Sequence, residues 1–135
     1  MSARLGIDAN VLLRIIVDDN AHQMVTVREL LSQLREDQAV FVNISVILEA
    51  NWVLKKLYHY PRERILSFLQ ALLERREFEV AEYEAVGNAL DFCRRSNVDF
   101  ADALLAEMNR LAGCEKTLTF DKRAASRVPG MELLA

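Results

Sequence analysis

The chain has 135 residues, 52% of them hydrophobic, which suffices for one domain whose core needs neither disulfides nor a structural metal. The net charge of -3 argues against a protein that holds nucleic acid by overall positive charge. The two cysteines, Cys93 and Cys114, lack zinc-binding spacing, and no apolar run approaches the roughly 20 residues that span a bilayer. We therefore expect a single domain over residues 1–135, cytoplasmic and without membrane contact.

The first half of the chain alternates short apolar runs with amphipathic segments. Two buried strands are predicted, in RLGID and AVFVN. Apolar residues at helical spacing predict a turn or two of helix in NVLLRIIV, and full helices in NAHQMVTVRELLSQLRED, SVILEANWVLKKLYHY and PRERILSFLQALLER. We expect Ser45 to cap the third of these segments, and Pro61 to occupy the first helical position of the fourth.

The second half continues the alternation. Strands are predicted in EFEVAEY, KTLTF and MELL, and helices in EAVGNALDFCRRS and in DFADALLAEMNRLAG, which Gly113 should close. Short strands alternating with helices indicate an α/β domain with a mainly parallel sheet. In such sheets ligands bind beyond the carboxyl ends of the strands.

Several acidic residues lie where these strands end. Asp8 closes the first predicted strand and Asp121 the fourth, so both should reach the same edge of the sheet. Glu49 lies on the helix after the second strand, one turn from Trp52, and its apolar neighbours predict partial burial. Asp102 lies in the first turn of the helix that opens with DFAD.

Each acid also has a structural interpretation. Asp99 and Asp121 could be plain N-caps, and the helix dipole alone could favour Asp102 in a first turn.

Asp8 and Glu49 stand in apolar surroundings, where an acid needs a partner. Each of them could pair with a buried arginine, such as Arg4 or Arg14.

If these acids converge, their mutual repulsion requires a neutralising cation. Carboxylates without histidine or cysteine suit Mg²⁺ or Mn²⁺. Such a site is best matched to phosphodiester hydrolysis, in which the ion activates water and stabilises charge on the phosphate.

Four segments, in chain order, resemble the acidic motifs of PIN-domain ribonucleases, and within that family those of VapC-type toxins: IDANVLLR, ILEANWVL, DFADALLA and TFDKRAA. The resemblance implies a three-layer α/β/α fold with a central, mainly parallel sheet of four to five short strands. It also implies RNA cleavage dependent on Mg²⁺ or Mn²⁺, homodimerisation, and inhibition by a cognate antitoxin protein.

Transferred to this chain, the resemblance gives three groups of site residues. The catalytic and metal-binding acids would be Asp8, Glu49, Asp102 and Asp121. Asp99 would be an auxiliary acid or only a cap. Asn10 and Thr119 would orient ligands or phosphate.

Basic residues near these motifs could hold RNA, with solvated charge as the alternative: Arg14, Lys55, Lys56, Lys122 and Arg123. Tyr58 and Tyr60 could stack on unpaired bases or pack internally. His22 and His59 lack partners at ligand spacing and receive no catalytic role.

Other classes remain as alternatives. A haloacid-dehalogenase-like phosphatase would need an acid where the chain has Asn10, and a response regulator would need an aspartate after the third strand, where EFEVAEYEAV offers only glutamates. A PIN-like module that binds RNA or protein without catalysis, or a housekeeping RNA-processing nuclease, would keep the same fold.

Overall fold

The computed structural model describes residues 3–135 as two compact units, divided between Ala81 and Glu82. The first unit contains, in chain order, β1 (Ala3–Gly6), α1 (Ala9–Leu13), α2 (Ala21–Ser32), β2 (Gln38–Val42), α3 (Ile44–Lys56), α4 (Arg62–Glu74) and β3 (Phe78–Val80). Its strands form a parallel sheet in the order β1, β2, β3. Arg4 lies opposite Ala39, and Val42 lies opposite Val80.

The core of the first unit gathers around β2, its central strand. Val40 and Val42 on this strand are buried, as are Leu12, Ile47, Leu54, Leu69 and Leu72 on the helices. By contrast, Arg4, Leu5 and Gly6 of β1 are exposed, so the prediction of a buried first strand is wrong. Within the described residues β1 pairs only with β2, so its other edge has no paired strand.

The second unit contains α5 (Tyr83–Arg95), α6 (Phe100–Leu111), β4 (Thr117–Thr119), α7 (Lys122–Arg127) and β5 (Met131–Leu133). The helices α5 and α6 pack against each other, and Val86, Leu90 and Leu104 are buried on them. The strands β4 and β5 pair in parallel. Gly113 follows α6 with a φ of 98°, a left-handed conformation typical of glycine after a helix, so the predicted end of this helix is confirmed.

Two helix starts differ slightly from the prediction. Asn43, not Ser45, caps α3, and its Oδ1 accepts a hydrogen bond from the Ser45 N–H at 2.9 Å. Pro61 precedes α4, which begins at Arg62. Asparagine and serine cap comparably well, so the sequence alone did not distinguish the two positions.

The predicted α/β class with parallel strands is confirmed. All five predicted strands are present, three in the sheet of the first unit and two in the sheet of the second. No helix among residues 3–135 combines the length and the apolar character that crossing a membrane requires.

Candidate active site

Asp8 lies just after β1 and caps α1. Its Oδ1 accepts a hydrogen bond from the Val11 N–H at 3.0 Å, and its side chain is exposed to solvent. Neither proposed arginine partner reaches it, because Arg4 pairs with Glu79 at 3.5 Å and Arg14 pairs with Asp19. Asp8 therefore has no cationic partner within residues 3–135.

Glu49 lies on the solvent-facing side of α3. The prediction of partial burial is wrong, because α3 buries Ile47, Ala50, Asn51 and Leu54 instead. Glu49 forms no ion pair or hydrogen bond with another side chain of the described residues. An exposed carboxylate free of internal partners can accept an external cation.

Topology brings Asp8 and the start of α3 to the same edge of the first sheet. The strands β1 and β2 are parallel neighbours, and α1 and α3 begin just beyond their carboxyl ends. These two helices pack against each other. The first unit thus places Asp8 at the edge where parallel sheets bind ligands, and Glu49 lies more than one turn into the helix that begins at the same edge.

In the second unit, Asp99 and Asp102 open α6. The Asp99 carboxylate accepts a hydrogen bond from the Asp102 N–H at 3.1 Å, which confirms Asp99 as the N-cap. Asp102 lies in the first turn, as predicted, and both residues are partly buried. Capping fixes the first turn and with it the position of Asp102.

Asp121 follows β4 in the second unit, as Asp8 follows β1 in the first. Its Oδ1 accepts a hydrogen bond from the Ala124 N–H at 3.0 Å and so caps α7, while its carboxylate remains exposed. The Asp121 N–H donates to Thr119 Oγ1 at 3.0 Å. Thr119 thereby orients the turn that carries Asp121, in keeping with a supporting role.

The predicted ligands are all carboxylates, the side chains that suit a hard divalent cation. Asp8 and Glu49 lie in the first unit, and Asp102 and Asp121 lie in the second. Taken separately over residues 3–135, neither unit gathers three or more histidine, cysteine, aspartate or glutamate side chains into a metal-binding group. Oxygen ligands of this type are those that Mg²⁺ and Mn²⁺ prefer.

The residues predicted to hold RNA differ in how far they are exposed to solvent. Arg14 has only 11% of its side chain exposed and binds Asp19, so the structure gives it an internal role and does not favour RNA contact. Lys55 and Lys56 are exposed in the last turn of α3. Lys122 and Arg123 are exposed at the start of α7, next to Asp121. Asn10 is exposed on α1.

The tyrosines are engaged within the first unit. Tyr58 meets Tyr60 edge-on with ring centroids 6.3 Å apart, and the Arg64 guanidinium lies 4.3 Å from the centre of the Tyr60 ring. The Tyr58 hydroxyl donates to Asp19 at 2.8 Å. These contacts favour the packing interpretation of both rings.

Trp52 is an exposed aromatic residue that sequence reasoning missed. It is 54% exposed, whereas sequence reasoning identified it only as an apolar neighbour of Glu49. Its spacing from Glu49 and Lys56, three and four positions along a helix, was the available signal.

A perturbed carboxyl group lies apart from the predicted residues. Hydrogen bonds from Arg110 hold the pKa of Glu107 below its ordinary range, and Asn88 contributes through a 2.7 Å bond. Burial opposes this shift. Because Asn88 and Arg110 already donate hydrogen bonds to the Glu107 carboxylate, we interpret Glu107 as a structural residue.

Comparison with models of known protein families identifies one family whose model matches this chain. The family model of the PIN domain matches residues 6–130, a range that includes all four acidic motifs. A search of curated proteins gave no match. Asp8, Glu49, Asp102 and Asp121 thus lie within a single family match that covers nearly the whole chain, and the protein belongs to the PIN domain family, whose fold is of the nuclease type.

Proposed function

We propose that this protein is a metal-dependent endoribonuclease that hydrolyses RNA phosphodiester bonds, working as one PIN domain over residues 1–135. The observation that carries the proposal is the pair of exposed acids Asp8 and Glu49, which lack cationic partners within residues 3–135. Asp8 follows β1 at the carboxyl edge of a parallel sheet, and Glu49 lies on the helix that follows β2, within a chain whose family has a nuclease-type fold.

In this proposal Asp8, Glu49, Asp102 and Asp121 hold Mg²⁺ or Mn²⁺. When bound, such an ion lowers the pKa of water and stabilises negative charge on the phosphate. The chain's own contribution is to orient the ligands. One oxygen of Asp8 and one of Asp121 accept backbone N–H bonds, which restricts each side chain and reduces the entropy lost on binding.

The remaining residues hold and align RNA. Lys55, Lys56, Lys122 and Arg123 offer positive charge close in sequence to the acids, and phosphate contacts of this kind position nucleic acid without reading its bases. Thr119 keeps Asp121 in place, and Asn10 orients ligand or phosphate from α1. Asp99 acts as a cap and as an auxiliary acid.

We further propose that the enzyme is a VapC-type toxin in the cytoplasm, a homodimer inhibited by a cognate antitoxin protein. The support is the order of the four acidic motifs. A cell would need to restrain an endoribonuclease with an exposed site, and a protein that covers the acids would do so.

RNA cleavage tests the proposal. Asp8→Asn and Asp121→Asn remove a charge while asparagine keeps the helix cap, so the fold should persist. We expect each variant, and Glu49→Gln, to lower the rate of cleavage of labelled RNA in Mn²⁺ by about 100-fold or more. Asp18→Asn, which alters an exposed acid outside the site, should cleave normally.

Two results would contradict the proposal. Cleavage that is unchanged in Asp8→Asn and Glu49→Gln would remove these acids from the site. Folded wild-type protein that binds RNA but never cleaves it would instead indicate a non-catalytic PIN-like module.

A further inference from the structure

The outer face of α3 carries an unusual combination of side chains. Glu49, Trp52, Lys55 and Lys56 are all exposed, on the side of the helix opposite its buried residues. Trp52 leaves 54% of its surface in water and so forgoes much of the stabilisation that burial of an indole gives. This face has no evident role in the core of the first unit.

Helical spacing makes these side chains neighbours. Trp52 follows Glu49 by three residues and precedes Lys56 by four, and residues so spaced have Cβ atoms about 5–6 Å apart. A flat aromatic surface therefore lies between a proposed catalytic carboxylate and an ammonium group. Lys56 has no ion-pair or hydrogen-bond partner through its ammonium group within residues 3–135, so this charge is available.

We propose that Trp52 stacks on an unpaired RNA base while Lys56 contacts a phosphate, which places the adjoining phosphodiester beside Glu49. The inference rests on the proposed nuclease function and assigns to Trp52 the task of holding an unpaired base next to Glu49. Every base offers a face for stacking once it is unpaired, whereas the bases of a duplex are already stacked.

Charge favours a strand of RNA as the occupant of this face. The phosphates of RNA complement the ammonium group of Lys56, which has no internal partner within residues 3–135. A second copy of the chain would bring a patch of the same net positive charge. An aromatic ring bordered by cationic groups is also the usual composition of a surface that binds single strands.

Intrinsic fluorescence tests the stacking directly, because Trp52 is the only tryptophan in the chain. Short oligouridylate and oligoadenylate are titrated into wild-type protein with a chelator present, so no metal-dependent cleavage occurs. We expect saturable quenching of the emission by both oligonucleotides and none by an RNA duplex of the same length. Absence of quenching by the single strands would overturn the inference.

Substitutions then measure how much each side chain contributes to RNA binding. Anisotropy of a labelled oligouridylate should show affinity about 5- to 100-fold weaker for Trp52→Ala, with Trp52→Phe intermediate because a smaller ring still stacks. Lys56→Ala should bind less tightly and depend less steeply on salt. Val25→Ala, which removes an apolar side chain of similar exposure from α2, should bind as wild type does.

The outcomes separate this inference from the proposed function. Quenching without any cleavage in Mn²⁺ would support the stacking and reject the nuclease. Suppose instead that wild type cleaves RNA, that RNA does not quench the tryptophan emission, and that Trp52→Ala binds RNA as tightly as wild type does. These results would reject the stacking alone. If Trp52→Ala binds RNA normally but converts a dimer into a monomer, the face is an interface between copies and the inference is wrong.

Discussion

Tyr58 donates a hydrogen bond to Asp19 Oδ2 at 2.8 Å, across 39 positions of sequence. The other oxygen of Asp19 accepts a hydrogen bond from Arg14, the residue that ends α1. Asp19 thereby fastens the connection between α1 and α2 to the connection between α3 and α4. Since Asp8 caps α1 and Glu49 lies on α3, this link supports the two helices that position these acids.

We predict that Asp19→Ala lowers the free energy of unfolding by about 2 kcal/mol, because it leaves the largely buried Arg14 guanidinium unpaired. Tyr58→Phe removes a single hydrogen bond and should cost about 1 kcal/mol. Urea denaturation measures both, with Tyr83→Phe as the exposed control. If Asp19→Ala and wild type unfold with equal free energies, these hydrogen bonds do not stabilise the fold.

The cap of α6 gives a second prediction. Asp99→Ala should lower the free energy of unfolding by about 1 kcal/mol, whereas Asp99→Asn should be nearly neutral because asparagine also caps helices. Thermal or urea denaturation distinguishes the two variants. If Asp99→Asn destabilises as much as Asp99→Ala does, the carboxylate charge matters more than the cap.

Acid should weaken the second unit through Glu107. Because Arg110 holds the pKa of the folded state below the ordinary value of 4.5, the folded protein binds this proton less readily than the unfolded chain does. The resulting stability is present above that ordinary value and is lost as pH falls through the lower pKa of the folded state. Stability should therefore decrease below about pH 4.5.

Glu107→Gln tests this acid dependence. The variant should be less stable than wild type near neutral pH, and the difference should shrink as the pH is lowered. Denaturation at neutral pH and in acid measures the difference, with Glu115→Gln as the exposed control in the same unit. A difference that stays constant with pH would show that the Glu107 charge does not stabilise the fold.

Much of the architecture could be predicted from sequence because it depends on local signals. Helical spacing of apolar residues located the helices, and Gly113 marked the end of α6. Asp99 and Asp121 proved to be the caps that their positions allowed. Local hydrogen bonding decides such features, so a single sequence contains the needed information.

Burial was harder to predict because it depends on what covers each face. The apolar run around Asp8 indicated a buried strand, yet β1 is exposed along much of its length. Glu49 and Trp52 lie among apolar residues in sequence, but the helical repeat turns both to solvent. Burial, the reason first given for the importance of Asp8 and Glu49, was wrong, because both residues are exposed.

Expression in a bacterial host tests the proposed toxin role. We predict that the wild-type chain, produced without an antitoxin, arrests growth because uncontrolled RNA cleavage stops protein synthesis. Asp8→Asn, made at the same soluble level, should permit growth. Normal growth with soluble, active wild-type protein would favour a housekeeping nuclease.

The central claim, that these carboxylates bind a divalent cation, is tested most directly by calorimetric titration of Mn²⁺ into metal-free protein. Wild type and Asp18→Asn should bind Mn²⁺ alike, and Asp102→Asn should bind it weakly or not at all. Equal binding by Asp102→Asn, or no binding by folded wild type, would contradict the claim.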